Sequence, residues 1–190
     1  MVIKQRKEYV MIDVEIHGKQ VLCNGRPIVR TGGPVLVTPQ GAMECRSEPE
    51  NPHEEEVVFA VASADESKVL TFDKAQRWRI WNIKLSDEHL DSCLADVHEL
   101  IPDVINGAVS NDSLIVALHY PGFVKVYERR GWNFEYALVS TIALPPESGV
   151  ISAMQFDQLD QEILTCRLQS RERLILLRKP SATGAHWDWK

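Results

Sequence analysis

The sequence predicts an all-β fold: a WD40-like β-propeller, short or partial, of about four blades with one short connecting helix. Three observations predict it. Runs rich in Val, Ile, Leu, Tyr and Phe are broken by Asn-Asp-Ser, Pro-Gly, Arg-Gly, Pro-Pro and Asp-Gln-Leu-Asp, most densely over 103–179, at the ~8–12-residue rhythm of antiparallel strands and tight turns. A unit of turn plus paired strands recurs. The segments 61–65, 108–112 and 152–157 each end on Asp and open strand pairs at 68–72 and 78–83, 114–118 and 123–127, and 162–166 and 173–177. Finally, Asp65, Asp112 and Asp157 return at about 45 residues, the length of a four-stranded blade. An evenly spaced β-sandwich is the alternative architecture.

Taken in order, residues 1–8 are polar and read as a flexible tail, and 9–180 as the blades. A strand at 9–16 turns at His17-Gly18, and short strands at 20–23, 27–30 and 34–37 are separated by Asn24-Gly25 and Gly32-Gly33, both hairpin signals. This is a first blade or a strand that helps close one. The stretch 40–56 carries Pro49, Pro52 and a run of Glu, so an exposed, mobile acidic loop is expected. In the next unit, 57–83, alternation puts Trp78 and Ile80 on one face and Arg79 and Trp81 on the other. Trp81 is expected to pack between blades.

Over 86–101 the period changes. Leu90, Leu94, Val97 and Ile101 fall at helical spacing, Ser86 is a good N-cap followed by Asp87 and Glu88, and Pro102 ends the run, so a short amphipathic helix is expected there. The C-terminal tail, 181–190, closes on His186-Trp187-Asp188-Trp189, whose indoles must pack back on the last blade or stay exposed as a partner site.

The chain has 190 residues, 44% of them hydrophobic, and a formal net charge of −6. That balance argues against a main nucleic-acid binder, because phosphate contact needs concentrated Lys and Arg. Lys4, Arg6 and Lys7, and Arg171, Arg173, Arg178 and Lys179, read as solvated surface. Cys23, Cys45, Cys93 and Cys166 form no Cys-x-x-Cys pair, and neither an apolar leader nor a membrane-length run stands out, so the chain reads as intracellular, soluble and reduced. Four blades are few for a propeller, and an incomplete ring exposes sheet edges. A fragment, a shortened product or half of an assembly is therefore expected.

Catalytic chemistry is hard to find. The sequence has no phosphate-cradling Gly-rich loop and no Gly-x-Ser-x-Gly elbow, and His98-Glu99 lacks the second His of a zinc-protease helix. His89 and Cys93 would share one helix face, but at about 100° per residue His98 turns away from it. Asp157, Asp160 and Glu162 form an acidic cluster on a turn, where solvation is the ordinary fate and a hydrolytic pair the alternative. The expectation is a chain with no catalytic, cofactor-binding or metal site, whose work is to hold something.

Several stretches resemble the non-catalytic WD-repeat subunit of the tRNA guanine-N7 methyltransferase. The segment 21–38, Val-Leu-Cys-Asn-Gly-Arg-Pro-Ile-Val-Arg-Thr-Gly-Gly-Pro-Val-Leu-Val-Thr, is similar to that family's first strands. Residues 63–72, Ser-Ala-Asp-Glu-Ser-Lys-Val-Leu-Thr-Phe, resemble its early blade, 94–104 its helical segment, and 113–180 its closing blades. The family's central blades, with their Asp-Arg-Asp repeats, have no counterpart here, so no partner-contact residue is carried over. The resemblance implies a nuclear scaffold that forms a heterodimer with the catalytic methyltransferase, meets tRNA mainly through that partner, and needs no cofactor of its own. A generic WD-repeat scaffold in another complex is the alternative.

Overall fold

The computed structural model describes residues 13–28, 36–37, 43–44, 53–83, 92–99, 102–131, 135–146, 149–170, 172–181 and 184–189. Among them, β1 (Val14–His17), β2 (Gln20–Cys23) and β3 (Arg26–Pro27) make a three-stranded sheet, blade 1, and β4 (Leu36–Val37) and β5 (Met43–Glu44) a separate hairpin. Three four-stranded antiparallel sheets follow. Blade 2 is β6 (Val57–Ala62), β7 (Lys68–Asp73), β8 (Arg77–Asn82) and β9 (Ser92–His98). Blade 3 is β10 (Asn106–Val109), β11 (Ile115–Tyr120), β12 (Phe123–Arg130) and β13 (Glu135–Ala143). Blade 4 is β14 (Ile151–Phe156), β15 (Ile163–Leu168), β16 (Arg173–Ser181) and β17 (Gly184–Trp189).

Strand order within each sheet is sequence order, and the first strands stand side by side: β1 against β6, β6 against β10, β10 against β14. This is a fan of blades about a common axis. Among the described residues no comparable contact brings β14 back to β1, so the fan is open.

Burial follows from that arrangement. A blade between two others must be apolar on both faces, and β11 is buried at every position while β7 is buried from Val69 to Asp73. A blade covered on one side alternates, as β15 does. Three clusters fill the gaps. Val21, Cys23 and Ile28 of blade 1 meet Val69 and Trp81 of blade 2; Leu70, Phe72 and Trp78 meet Val116 and Leu118 of blade 3; and Ala117, Val124 and Val126 meet Phe156, Leu164 and Leu176 of blade 4.

The repeat expected from the turn residues is physical. Ser63 N donates to Lys68 O at 2.9 Å and Ser110 N to Ile115 O at 3.0 Å, closing the same turn in blades 2 and 3. In each, a serine hydroxyl is held by the following aspartate, Ser63 by Asp65 and Ser110 by Asp112, both at 2.6 Å. Bulges recur with the turns, at Ile80/Trp81 in blade 2 and Val126/Tyr127 in blade 3. Asp157 is out of step: its own N donates to Ile163 O at 2.9 Å, so it occupies the place of Ser63 and Ser110.

Three expectations are corrected. The helix expected over 86–101 is not formed by the residues described there, because 92–98 are β9, the outer strand of blade 2 paired along β8. The expected C-terminal tail over 181–190 contains β17, which pairs with β16 and completes blade 4. Of the acidic loop expected over 40–56, Met43–Glu44 are β5 and His53 is 2% exposed, while Glu54, Glu55 and Glu56 are exposed as expected. The tail expected over 1–8 lies outside the described residues.

Candidate functional site

The densest polar constellation lies inside blade 2, on the face it turns toward blade 1. Val69 pairs with Trp81 and Thr71 with Arg79 across β7 and β8, so these four side chains share a face, and Asp73 ends the same row. His53 comes in just ahead of β6. Its Nε2 lies 2.8 Å from Thr71 Oγ1, its Nδ1 2.8 Å from Asp73 Oδ2, and Trp81 Nε1 donates to Thr71 Oγ1 at 2.9 Å. An indole N–H can only donate, so Thr71 accepts from Trp81, and its oxygen also lies 3.4 Å from Arg79 O. Arg79 Nη1 stands 2.5 Å from His53 Nδ1, beside Asp73 Oδ2. The row ties the segment before β6 to the middle two strands of its blade.

Arg79, 2% exposed, donates through Nη1 to Asp73 Oδ2 at 2.8 Å, and its Nε faces Asp96 of β9 at 3.2 Å. Burial is the largest influence on His53 and holds its pKa below the ordinary value; Asp73 pulls the other way and the nearby Arg79 guanidinium again downward. Asp96 is depressed by its two arginines in spite of partial burial.

Blade 3 carries a variant at the same register. Leu118 pairs with Lys125 and Val116 with Tyr127, which puts Lys125 where Arg79 stands and Tyr127 where Trp81 stands. Glu99 comes in before blade 3 as His53 does before blade 2. It accepts from the Tyr127 hydroxyl and, at 3.2 Å, from Lys125 Nζ, which also lies 5.1 Å from the Tyr120 ring centroid. Burial drives the Tyr120 and Tyr127 hydroxyls well above the ordinary phenol value. Blade 4 fills the equivalent row with Leu164, Cys166, Leu174 and Leu176. Polar pinning thus gives way to apolar packing along the fan.

The turns are linked from blade to blade as well. Asp65 N donates to Asn111 Oδ1 at 3.1 Å, Asn111 N to Gln161 Oε1 at 2.8 Å, and Asn111 Nδ2 to Gln158 O at 3.1 Å. At the outer side, Glu128 of blade 3 accepts from Arg178 Nε of blade 4 at 2.8 Å and from Trp187 Nε1 at 3.4 Å.

The residues weighed for chemistry have other work. Asp157 Oδ1 accepts from the N–H groups of Leu159 and Asp160 at 2.9 Å, and those bonds depress its pKa; Asp160 Oδ1 accepts from Glu162 N at 3.0 Å, and Glu162 pairs with Arg178 at 3.0 Å. The cluster shapes a turn. Cys93 pairs with Trp81 and His98 with Arg77, at the two ends of β9, and His89 lies outside the described residues. Burial pushes the Cys166 thiol up to about 12, out of reach of nucleophilic use at neutral pH. Trp81 is fully buried between blades, as expected, and Trp187 is 3% exposed with its ring 5.9 Å from Phe156, so of the two outcomes open to it, it packs back.

The His53 row was missed. Its signal is Thr71-Phe72-Asp73 and Trp81 on alternate positions of paired strands, with a His at the end of the preceding polar stretch. A cleft of about 500 Å³ opens beside Ala64 and the free side of blade 4, lined by Gln155, Thr165, Arg167 and Arg173.

Comparison with known proteins agrees with the geometry at the level of fold. No family model and no curated protein matches the chain. Among solved structures, KlHsv2 with loop 6CD replaced by a Gly-Ser linker is similar at TM-score 0.53 and 11% identity, over 73% of this chain and 45% of that one. A Lactobacillus plantarum protein is similar at TM-score 0.51 and 11% identity, over 93% and 52%. The Cps50 (Swd1) β-propeller domain from Myceliophteria thermophila is similar at TM-score 0.48 and 10% identity, over 73% and 41%. The chain thus spans about half the length of the solved chains it matches. Its fold, among the described residues, is an open β-propeller. Among the described residues no helix is long and apolar enough to cross a membrane.

Proposed function

We propose that this chain is a non-catalytic scaffold subunit that stabilises and activates the catalytic methyltransferase forming N7-methylguanosine in tRNA. The observation that carries the reading is the resemblance of residues 21–38 and 63–72 to the early strands of that scaffold family, on a chain with the propeller architecture such a scaffold uses. The allocation of buried polar groups supports a scaffold role. His53, Thr71, Asp73 and Arg79 are bonded to one another, and Glu99 to Lys125 and Tyr127, so these groups rigidify blades.

A scaffold raises a partner's activity only by binding its active conformation more tightly than its inactive one. A rigid fan suits that task, because little ordering entropy is lost when it docks. The partner would bind the methyl donor and the tRNA. The acidic net charge of −6 fits a chain that meets tRNA mainly through that partner. Nuclear residence belongs to the same reading.

A generic WD-repeat scaffold in another assembly is the second reading, favoured by the fold alone. Co-expression with the catalytic tRNA guanine-N7 methyltransferase, followed by co-purification and a methyl-transfer assay on tRNA, separates the two. The first reading expects one complex and activity above that of the catalytic chain alone. A folded scaffold that elutes separately and leaves methylation unchanged overturns it in favour of the second.

A further inference from the structure

Among the described residues the fan has two uncovered ends, and their charges are opposite. On blade 4, Phe156, Leu164, Cys166 and Leu176 face blade 3, so alternation turns Gln155, Thr165, Arg167 and Arg173 the other way. Arg167 and Arg173 are exposed and directly opposite each other in the β15–β16 register, and no carboxylate among the described residues pairs with either. Like charges placed so destabilise a sheet until a counter-charge arrives. Half-buried Ile163 and Ile175 lie along the same face.

On blade 1, Val21, Cys23 and Val14 face blade 2. The opposite side therefore presents exposed Asp13 and Glu15, with exposed His17 2.9 Å from Glu15 and half-buried Leu22 paired across from Glu15. One end is thus basic around a partly apolar strip, and the other acidic around a smaller one.

We propose that a second copy of this chain docks head to tail, the blade 4 face of each against the blade 1 face of the other, closing one ring from two open fans. Such a contact is heterologous, and it closes when the rotation between copies is half a turn. Charge complementarity selects the partner: Asp13 and Glu15 supply the carboxylates that Arg167 and Arg173 lack. The inference does not rest on the methyltransferase reading.

The test is light scattering coupled to size exclusion on the full chain at low and high salt. The wild type elutes as two copies, and the particle weakens as salt screens the exposed pairs. R167E/R173E alone and D13R/E15R alone each run as one copy, and an equal mixture of the two runs again as two, because each restores opposite charges to the other's end. Far-UV circular dichroism checks that both variants are folded. If either does not fold, the wild-type mass and its salt response decide. A single-copy wild type overturns the proposal and leaves these faces to other blades or another protein. A two-copy particle indifferent to salt, or one that survives in both variants, also overturns it.

Discussion

At the scale of single residues, blade 2 is held by a row in which no member can be changed alone. Thr71 serves two buried donors and acceptors at once. Thr71→Val keeps the shape and strands both His53 Nε2 and Trp81 Nε1, at a cost on the order of 3 kcal/mol. Asp73→Asn takes one of two carboxylates from the buried Arg79 guanidinium, Asp96 remaining 3.2 Å from its Nε, and so costs on the order of 2 kcal/mol. Urea unfolding of the two variants checks both losses.

The row also sets a response to acid. His53 and His119 are both held below the ordinary value of 6.5, in each case chiefly by burial. The unfolded chain therefore takes up protons first as pH falls. Stability is full above about pH 6.5 and drops as pH falls below it toward the folded values, ahead of the carboxylate range. Thermal melting from pH 7.5 to 5 should show a falling midpoint, and His53→Gln should flatten part of that slope.

At the scale of the element, the sequence was most legible where a strand is sandwiched. The strands expected at 68–72, 78–83, 114–118 and 123–127 match β7, β8, β11 and β12 closely, because Val, Ile, Leu and Trp on both faces and a bonded Ser-x-Asp turn leave no other structure. The outer strands were the illegible ones. β9 lies at the blade's edge, so Leu94 and Val97 can satisfy a helical period while Ala95 and Val97, paired with Ile80 and Trp78, satisfy a period of two. The open ladder of β8 decides between them. β17 was hidden for the same reason: a short polar-looking end becomes a strand only because β16 offers its edge and Ser140 Oγ receives Trp187 N at 2.9 Å. The His53 row escaped notice because its members are distant in sequence and each is ordinary alone.

The gap between blades 2 and 3 is narrow enough to test directly. A Cβ added at Gly107 would stand 2.9 Å from Leu70 Cδ2 and 3.0 Å from Phe59 Cζ, and Leu70 is fully buried. Gly107→Ala should therefore destabilise by about 1–3 kcal/mol through overpacking. A thermal midpoint unchanged from the wild type would show that the blades can move apart at this point.

For the molecule as a whole, the account is of blades that share cores between them and so stand or fall together. Blade 2 buries its two faces against different neighbours, and blade 3 does likewise. The fan architecture and its openness were readable from the 45-residue rhythm and the small number of blades; the opposite charges of the two ends were not, since they depend on which face each strand turns outward. Hydrogen exchange of the isolated chain, followed by mass spectrometry, tests the account most directly. It predicts slow exchange in β7, β8, β11, β12 and β15, lost together in one cooperative step as urea is added. Blade 4 exchanging freely while blade 2 stays protected would contradict it, because the shared core between blades 3 and 4 would then not be holding them as one body.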